Sequence, residues 1–221
     1  MSPMLLHVFP TFAIGGQQTR FAAIANRLGP AFRHQLISLD GEKGAISLLD
    51  PALDFTLLPS PAETGNVIRD LRAIARASVS IGADVWLTYN WGSIEWAIVN
   101  RLFLHHPHIH LEDGFGPDEV DQQKRRRILA RRLFLKGSIV VVPSRKLAAI
   151  AQIRWYLEPR RVRYIPNGID ASRFDRVPAN GAPFFNRRDD ECIIGSFSPL
   201  RREKNLGRLK KIGRASCRER V

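Results

Sequence analysis

At 221 residues, 44% of them hydrophobic, the chain carries enough apolar material for a sizeable core, which excludes wholesale disorder. No apolar run reaches the ~18 residues of a membrane-spanning helix, and two cysteines, Cys192 and Cys217, form neither a disulfide framework nor a metal-ligand spacing. The formal net charge of +13 leaves fold class open and points instead to anionic partners.

The first nine residues lack a charged leader and a small-residue cleavage site, so they read as a strand of a cytoplasmic protein rather than a signal peptide. The apolar run 5–9 ends at Pro10 and suits a buried parallel strand. Residues 17–28 place Phe21, Ile24, Ala25 and Leu28 at helical spacing, and Gly29-Pro30 stops them. Strands follow at 34–39 and 54–58, then a helix at 64–81 with Val67, Leu71, Ile74 and Ala75 as its stripe. The pattern continues as strand 85–88, helix 94–104, strand 109–111 and a strongly basic helix 119–134. Strand 139–142 leads into a helix N-capped by Ser144 and running to about Tyr156. Strand 162–165 closes the series.

Strands alternating with helices in this way predict an α/β fold, a doubly wound, mostly parallel Rossmann-like sheet. The unit is expected to occupy residues 1–168. A Pro/Asn/Gly-bearing linker covers 169–190, and the apolar run 192–197 begins a second α/β domain, expected over 191–211. Too little follows for that domain to be completed, so the chain reads as the front part of a two-domain protein. Residues 212–221 break the pattern. They can be encoded as ATC GGA AGA GCG TCG TGT AGG GAA AGA GTG, one reading frame of a widely used sequencing adapter, and are expected to be a non-native read-through tail.

Ligands of open α/β sheets bind outside the carboxyl ends of the strands, and three loops there carry candidate chemistry. In loop 12–19, Gly15-Gly16 lets the backbone approach a phosphate at a helix N-terminus, although such a pair also serves as a plain turn. Loop 108–119 crowds His108, His110, Glu112, Asp113, Asp118 and Glu119 around two glycines. Strand alternation sends Glu112 and Asp113 to opposite sides and puts His110 with Glu112. One carboxylate can then face a cleft while the other makes structural hydrogen bonds. No spacing demands a metal. Loop 198–205 offers Arg201, Arg202 and Lys204 to a diphosphate, or simply to water.

Taken in order, the Gly-Gly loop, the Pro143-Ser144 helix opening, the Ile165-Pro-Asn-Gly-Ile-Asp170 turn followed by Phe174, and Glu203-Lys-Asn205 resemble the family 4 retaining glycosyltransferases of GT-B fold. The resemblance implies two Rossmann-like domains around a cleft and no required metal or cofactor. It also implies a nucleotide-sugar donor of UDP or GDP type, and a glycan or lipid-linked acceptor in polysaccharide or glycolipid synthesis. Gly15 and Gly16 match the glycine loop near the donor diphosphate, and Lys204 matches the lysine that pairs with it. Pro199 stands where the family usually has the partnering arginine, with Arg201 as its substitute. Asp113 stands at the place of a functional histidine and is the first catalytic candidate, with Glu112 beside it and His110 as the fallback. Tyr89, Asn90 and Trp91 are expected on the acceptor side.

The basic helix 124–136 is a candidate for peripheral contact with the inner membrane face, while nucleic acid is disfavoured because no aromatics interleave with the basic runs. As a fragment the chain itself is expected to be inactive. Alternative readings are a sugar-nucleotide epimerase of the same architecture and a non-catalytic basic module for glycan or nucleic acid.

Overall fold

The computed structural model describes residues 2–61, 64–119, 122–169, 171 and 205–208. The chain divides into two units, Met1–Gly168 and Ile169–Val221. In the second unit residues 206–208 form a helical turn. The expected strand 192–197, Arg201, Lys204 and the tail lie outside the described residues, as does most of the expected linker.

The first unit is built on seven parallel strands: β1 (Met4–Phe9), β2 (Arg33–Ser38), β3 (Phe55–Leu57), β4 (Val85–Tyr89), β5 (His108–Leu111), β6 (Ile139–Val142) and β7 (Val162–Tyr164). Their order across the sheet is β3-β2-β1-β4-β5-β6-β7, so the chain winds outward from β1 in one direction and then, from β4, in the other. This is the doubly wound α/β arrangement expected from the alternation of strands and helices. Register follows from burial. Leu6 and Val8 of β1 have no exposed surface, and their pairing with Trp86 and Thr88 of β4 lines up one apolar face.

Five α-helices connect the strands: α1 (Gly16–Leu28), α2 (Val67–Ser78), α3 (Ile94–Val99), α4 (Arg125–Phe134) and α5 (Arg145–Ile153). On one face of the sheet, Phe21, Ala22 and Ala25 of α1 pack with Phe9, Leu36 and Tyr89. On the other, Ile74 of α2 and Trp96 of α3 cover Leu6, Val8 and Trp86. Further along that second face, Ile94, Leu135 and Ala151 cover Val140 and Val142.

Boundaries differ from expectation where side chains compete for the backbone. The long helix predicted over 94–104 ends as an α-helix at Val99 and finishes in a π-turn over Asn100–Leu104. Asn100 causes this, since its amide both accepts from the His106 N–H (2.9 Å) and donates to the His106 carbonyl (3.0 Å). The basic helix starts at Arg125, not Glu119. Buried Glu119 sits before it and accepts the Lys124 N–H at 2.9 Å, a role suited to the positive end of a helix. Ser144 caps α5 as predicted, accepting from the Leu147 N–H at 3.2 Å.

Two substitutions separate packing from capping. Leu6→Ala in the central strand is expected to lower unfolding free energy by about 2–5 kcal/mol in urea titrations. Asn66→Ala, which removes the side chain that accepts from the Ile68 and Arg69 N–H groups at the start of α2, is expected to cost only about 1 kcal/mol.

Candidate functional site

The strand ends at the carboxyl edge hold three distinct groups of side chains. The first surrounds Asp113, which follows β5. Arg20 Nη2 approaches both carboxylate oxygens, at 2.9 and 3.1 Å, and Gln17 Nε2 donates to Oδ2 at 3.1 Å. Asn90, after β4, ties the group together. Its Oδ1 accepts the Asp113 N–H at 2.8 Å and its Nδ2 donates to Gln17 Oε1 at 3.3 Å. Asn90 does so at φ 56° and ψ −178°, a backbone conformation that side-chain-bearing residues rarely adopt, held here by its bonds to Asp113 and Gln17. Arg20 also donates to Asn167 Oδ1, so one guanidinium links α1, the β5 loop and the Pro-Asn-Gly turn. Asp113 stays about a quarter exposed.

Gly15 and Gly16 open α1 immediately before Gln17, which belongs to this group. Gly15 is the extended N-cap, and a side chain there would meet the Gln18 amide, whose nitrogen donates to the Thr11 carbonyl at 2.7 Å. Gly16 has open space where a side chain would begin, so packing does not require glycine there.

The second group is buried. Glu112 points to the opposite side of β5 from Asp113, as strand alternation predicts, and has no exposed surface. Arg131 of α4 donates to it through Nε at 3.0 Å, and His110 Nε2 lies 3.6 Å away. The Arg131 guanidinium is boxed by Trp91 and Trp155, each 4.9 Å from it, and by Phe115 at 5.5 Å. A polar line continues inward through Thr88, which bonds both His110 (2.8 Å) and His108 (2.9 Å), to Ser138. His110 and Glu112, both expected as catalytic candidates, are therefore enclosed in the helix-covered side of the sheet. Burial, with His110 as a further cause, pulls His108 down to about 3, so it is neutral near pH 7.

Tyr89 is also internal. Its ring stacks on Phe9 at 3.9 Å and its hydroxyl lies 2.9 Å from His7 Nδ1, while burial pushes its acidity far below that of a free phenol. His7 in turn meets His34 at 3.0 Å, and burial first, then His34, holds the His7 imidazole well below its ordinary range.

The third group lines a cleft of about 440 Å³ on the α2–α3 side, bounded by Pro10, Asp40, Pro61, Val67, Trp91 and Glu95. Trp91 thus has one part in the cleft and one against the guanidiniums of Arg127 and Arg131. Its neighbour Gly92 is required by contact, because a Cβ there would come within 2.8 Å of Pro10.

Of the expected residues, the fold brings together Asn90 and Asp113, and Gly15 and Gly16 adjoin them through the neighbouring Gln17. Trp91 is separated to the cleft, and Tyr89, His110 and Glu112 to the interior. Among the described residues no group of three or more His, Cys, Asp or Glu could hold a metal ion. Sequence reading missed Gln17, Arg20 and Arg131. The first two sit one turn apart on α1, facing the sheet edge. Arg131 falls at helical spacing between Ile128 and Leu135, the one available sign that it points inward.

The family model Glycosyltransferase Family 4 matches residues 14–173, from the glycine loop through the Asn-Gly-Ile-Asp turn. The chain belongs to Glycosyltransferase Family 4. A glycosyltransferase from Rickettsia africae ESF-5 matches at TM-score 0.54 and 18% identity, over 82% of this chain and 47% of that one. Anabaena HepE, solved in complex with UDP, matches at TM-score 0.57 and 13% identity, over 81% and 48%. At such identities the likeness is one of fold, and it agrees with a GT-B-type Rossmann-like unit. The chain spans about half the length of these two structures. No curated protein matches the sequence.

The buried pair yields a stability test for this family member. Glu112→Ala is expected to destabilise the unit by about 3 kcal/mol, because buried Arg131 loses its 3.0 Å partner and keeps only the longer 3.6 Å contact to Glu119. Replacing both partners, Glu112→Leu with Arg131→Met, is expected to recover most of that loss in the same denaturation assay.

His7, His34 and His108 yield a pH test. Their folded values are lowered, so between those values and about 6.5 the unfolded chain binds more protons, and stability rises with pH. It is fully present above about pH 6.5 and is lost on acidification toward about 3 for His108. Urea midpoints between pH 7.5 and 5 (~ values bracketing the free histidine pKa) are expected to fall, and His108→Gln to flatten that slope.

Proposed function

We propose that this chain is the acceptor-side half of a retaining, metal-independent glycosyltransferase that moves a sugar from a UDP- or GDP-type donor to an acceptor hydroxyl of a glycan or lipid-linked glycan. The family match over residues 14–173 is the observation that carries the reading. The Asp113 group supports it, because it places a partly exposed carboxylate at the sheet edge beside the glycine loop.

In this reading the acceptor oxygen forms a bond to the anomeric carbon as the bond from that carbon to the donor diphosphate breaks. The acceptor proton passes to a phosphate oxygen of the leaving group, on the same face of the sugar. Asp113 orients a hydroxyl of the acceptor or of the transferred sugar. A carboxylate offers about four lone-pair directions, so the contacts from Arg20 and Gln17 leave room for one hydroxyl. Asn90 and Gln17 fix that carboxylate before substrate arrives, which removes reorganisation from the reaction step. Gly15 and Gly16 let the donor diphosphate approach the start of α1, and Lys204 with Arg201 neutralises it as it leaves. Glu112 and His110 position the loop from beneath rather than touching substrate. Trp91 offers a ring face to an acceptor sugar in the cleft.

The test uses a polypeptide carrying this chain followed by a complete C-terminal domain. With UDP- and GDP-sugars and a glycan acceptor, Asp113→Asn is expected to lower kcat about 10²-fold with unfolding free energy little changed. Lys204→Ala is expected to weaken donor binding instead. If no nucleotide sugar is bound or consumed, the reading fails.

A further inference from the structure

The outer surface of the helical layer carries a second, unassigned feature. Arg125, Arg126, Arg132 and Lys136 are exposed, and Leu129 and Leu133 lie between them, 55% and 51% exposed. Positions 125, 129, 132 and 133 fall on one side of α4, with Lys136 just past its end, so charge and apolar area share a single stripe. Tyr156, 64% exposed, stacks on Arg132 at 4.3 Å beside the stripe.

A similar pattern recurs on α2 and the π-turn. There an apolar groove is lined by Ile68, Ala75, Leu102 and Phe103, and its charged liners are Arg72 and Arg76. Ile68 and Phe103 are each 63% exposed. Both surfaces belong to helices covering the same face of the sheet, and Arg101 of the π-turn reaches Gly137 just past α4, linking them.

Acidic residues are sparse on this face, although Glu158 lies near Lys136. In segments 67–78, 100–104 and 125–136 the sole acid is Asp70, which accepts from Thr64 and lines the cleft. Of the nearby acids, Asp118 is taken up by Lys124 and Arg127, and Glu158 by Arg160. Arg131, which the sequence assigns to the basic surface, is wholly buried and takes no part in it.

From this charge complementarity we propose that the outer face of α2, the π-turn and α4 docks on an anionic lipid bilayer. Guanidiniums would meet the headgroups, while Leu129, Leu133, Ile68, Leu102 and Phe103 enter the acyl boundary. Scattered single apolar residues are ordinary on protein surfaces. Apolar residues flanked by cations, on two helices that both pack against α3, have the composition of an interfacial contact. The proposal rests on the glycosyltransferase reading only for why such a contact is useful. Helix α2 gives Ile68 and Arg72 to the lipid face and Val67 and Ile74 to the cleft, so a membrane-borne acceptor would have a short path inward.

The experiment sediments the 221-residue chain with phosphatidylcholine–phosphatidylglycerol vesicles and with phosphatidylcholine alone. Binding to the anionic vesicles alone, weakened by salt, is expected. Arg126→Ser with Arg132→Ser is expected to reduce partition about tenfold or more, and Leu129→Ser with Leu133→Ser to reduce it comparably. A charge-matched control, Arg27→Ser with Lys43→Ser on the α1 side of the sheet, is expected to change it little. Equal loss from the control pair, equal binding to neutral vesicles, or retention by nucleic acid with no vesicle binding would each overturn the proposal. None of these outcomes depends on donor turnover, so failure here leaves the transferase reading to its own test.

Discussion

A guanidinium with no exposed surface is the costliest group in this fold, and the β5 edge is organised around it. Arg131 is held by the carboxylates of Glu112 at 3.0 Å and Glu119 at 3.6 Å and by three aromatic rings, which replaces part of the hydration it has lost. Because Glu112 is pinned beneath the strand, alternation leaves Asp113 pointing to the opposite side, toward α1. Trp91, which forms part of the box, is thereby fixed at the mouth of the cleft. One buried pair thus sets the direction of both a candidate catalytic carboxylate and a candidate sugar-stacking ring.

Asp113 itself sits in a different electrostatic setting. Arg20, Gln17 and Asn90 hold it from three directions, yet part of it faces solvent. A carboxylate so compensated is better suited to orienting hydroxyls than to abstracting protons unaided. That accords with a reaction in which the departing diphosphate takes the proton. The contrast between Glu112 and Asp113 shows how adjacent, chemically similar residues receive unrelated work from a single turn of strand geometry.

Much of the sheet was legible in the sequence because its strands are short continuous apolar runs bounded by Pro, Gly and Asp. The opposition of Glu112 and Asp113 was legible too, as a consequence of the two-residue period. Which of them lies beneath the helices was not, since that depends on Arg131, and Arg131 stands in a basic run that reads as solvated surface. The start of α4 was misplaced because Glu119 resembles a helical residue but serves as an acid facing the helix end. Gln17 and Arg20 escaped notice since their partner Asp113 lies 96 and 93 residues away. The doubly wound sheet creates that proximity, and local pattern cannot.

The reach of Arg20 also bears on the order in which the molecule assembles. Its two partners, Asp113 and Asn167, are separated from it by 93 and 147 positions. Closing loops of that length costs entropy that a lone side-chain contact does not offset, so the pairing of intervening strands has to supply it. The carboxylate, the guanidinium and the asparagine should therefore meet late, after β5 through β7 have paired. An intermediate with a native-like β1–β4 core would contain the glycine loop and α1 yet lack any formed site. Competence to bind would then report completion of the whole sheet.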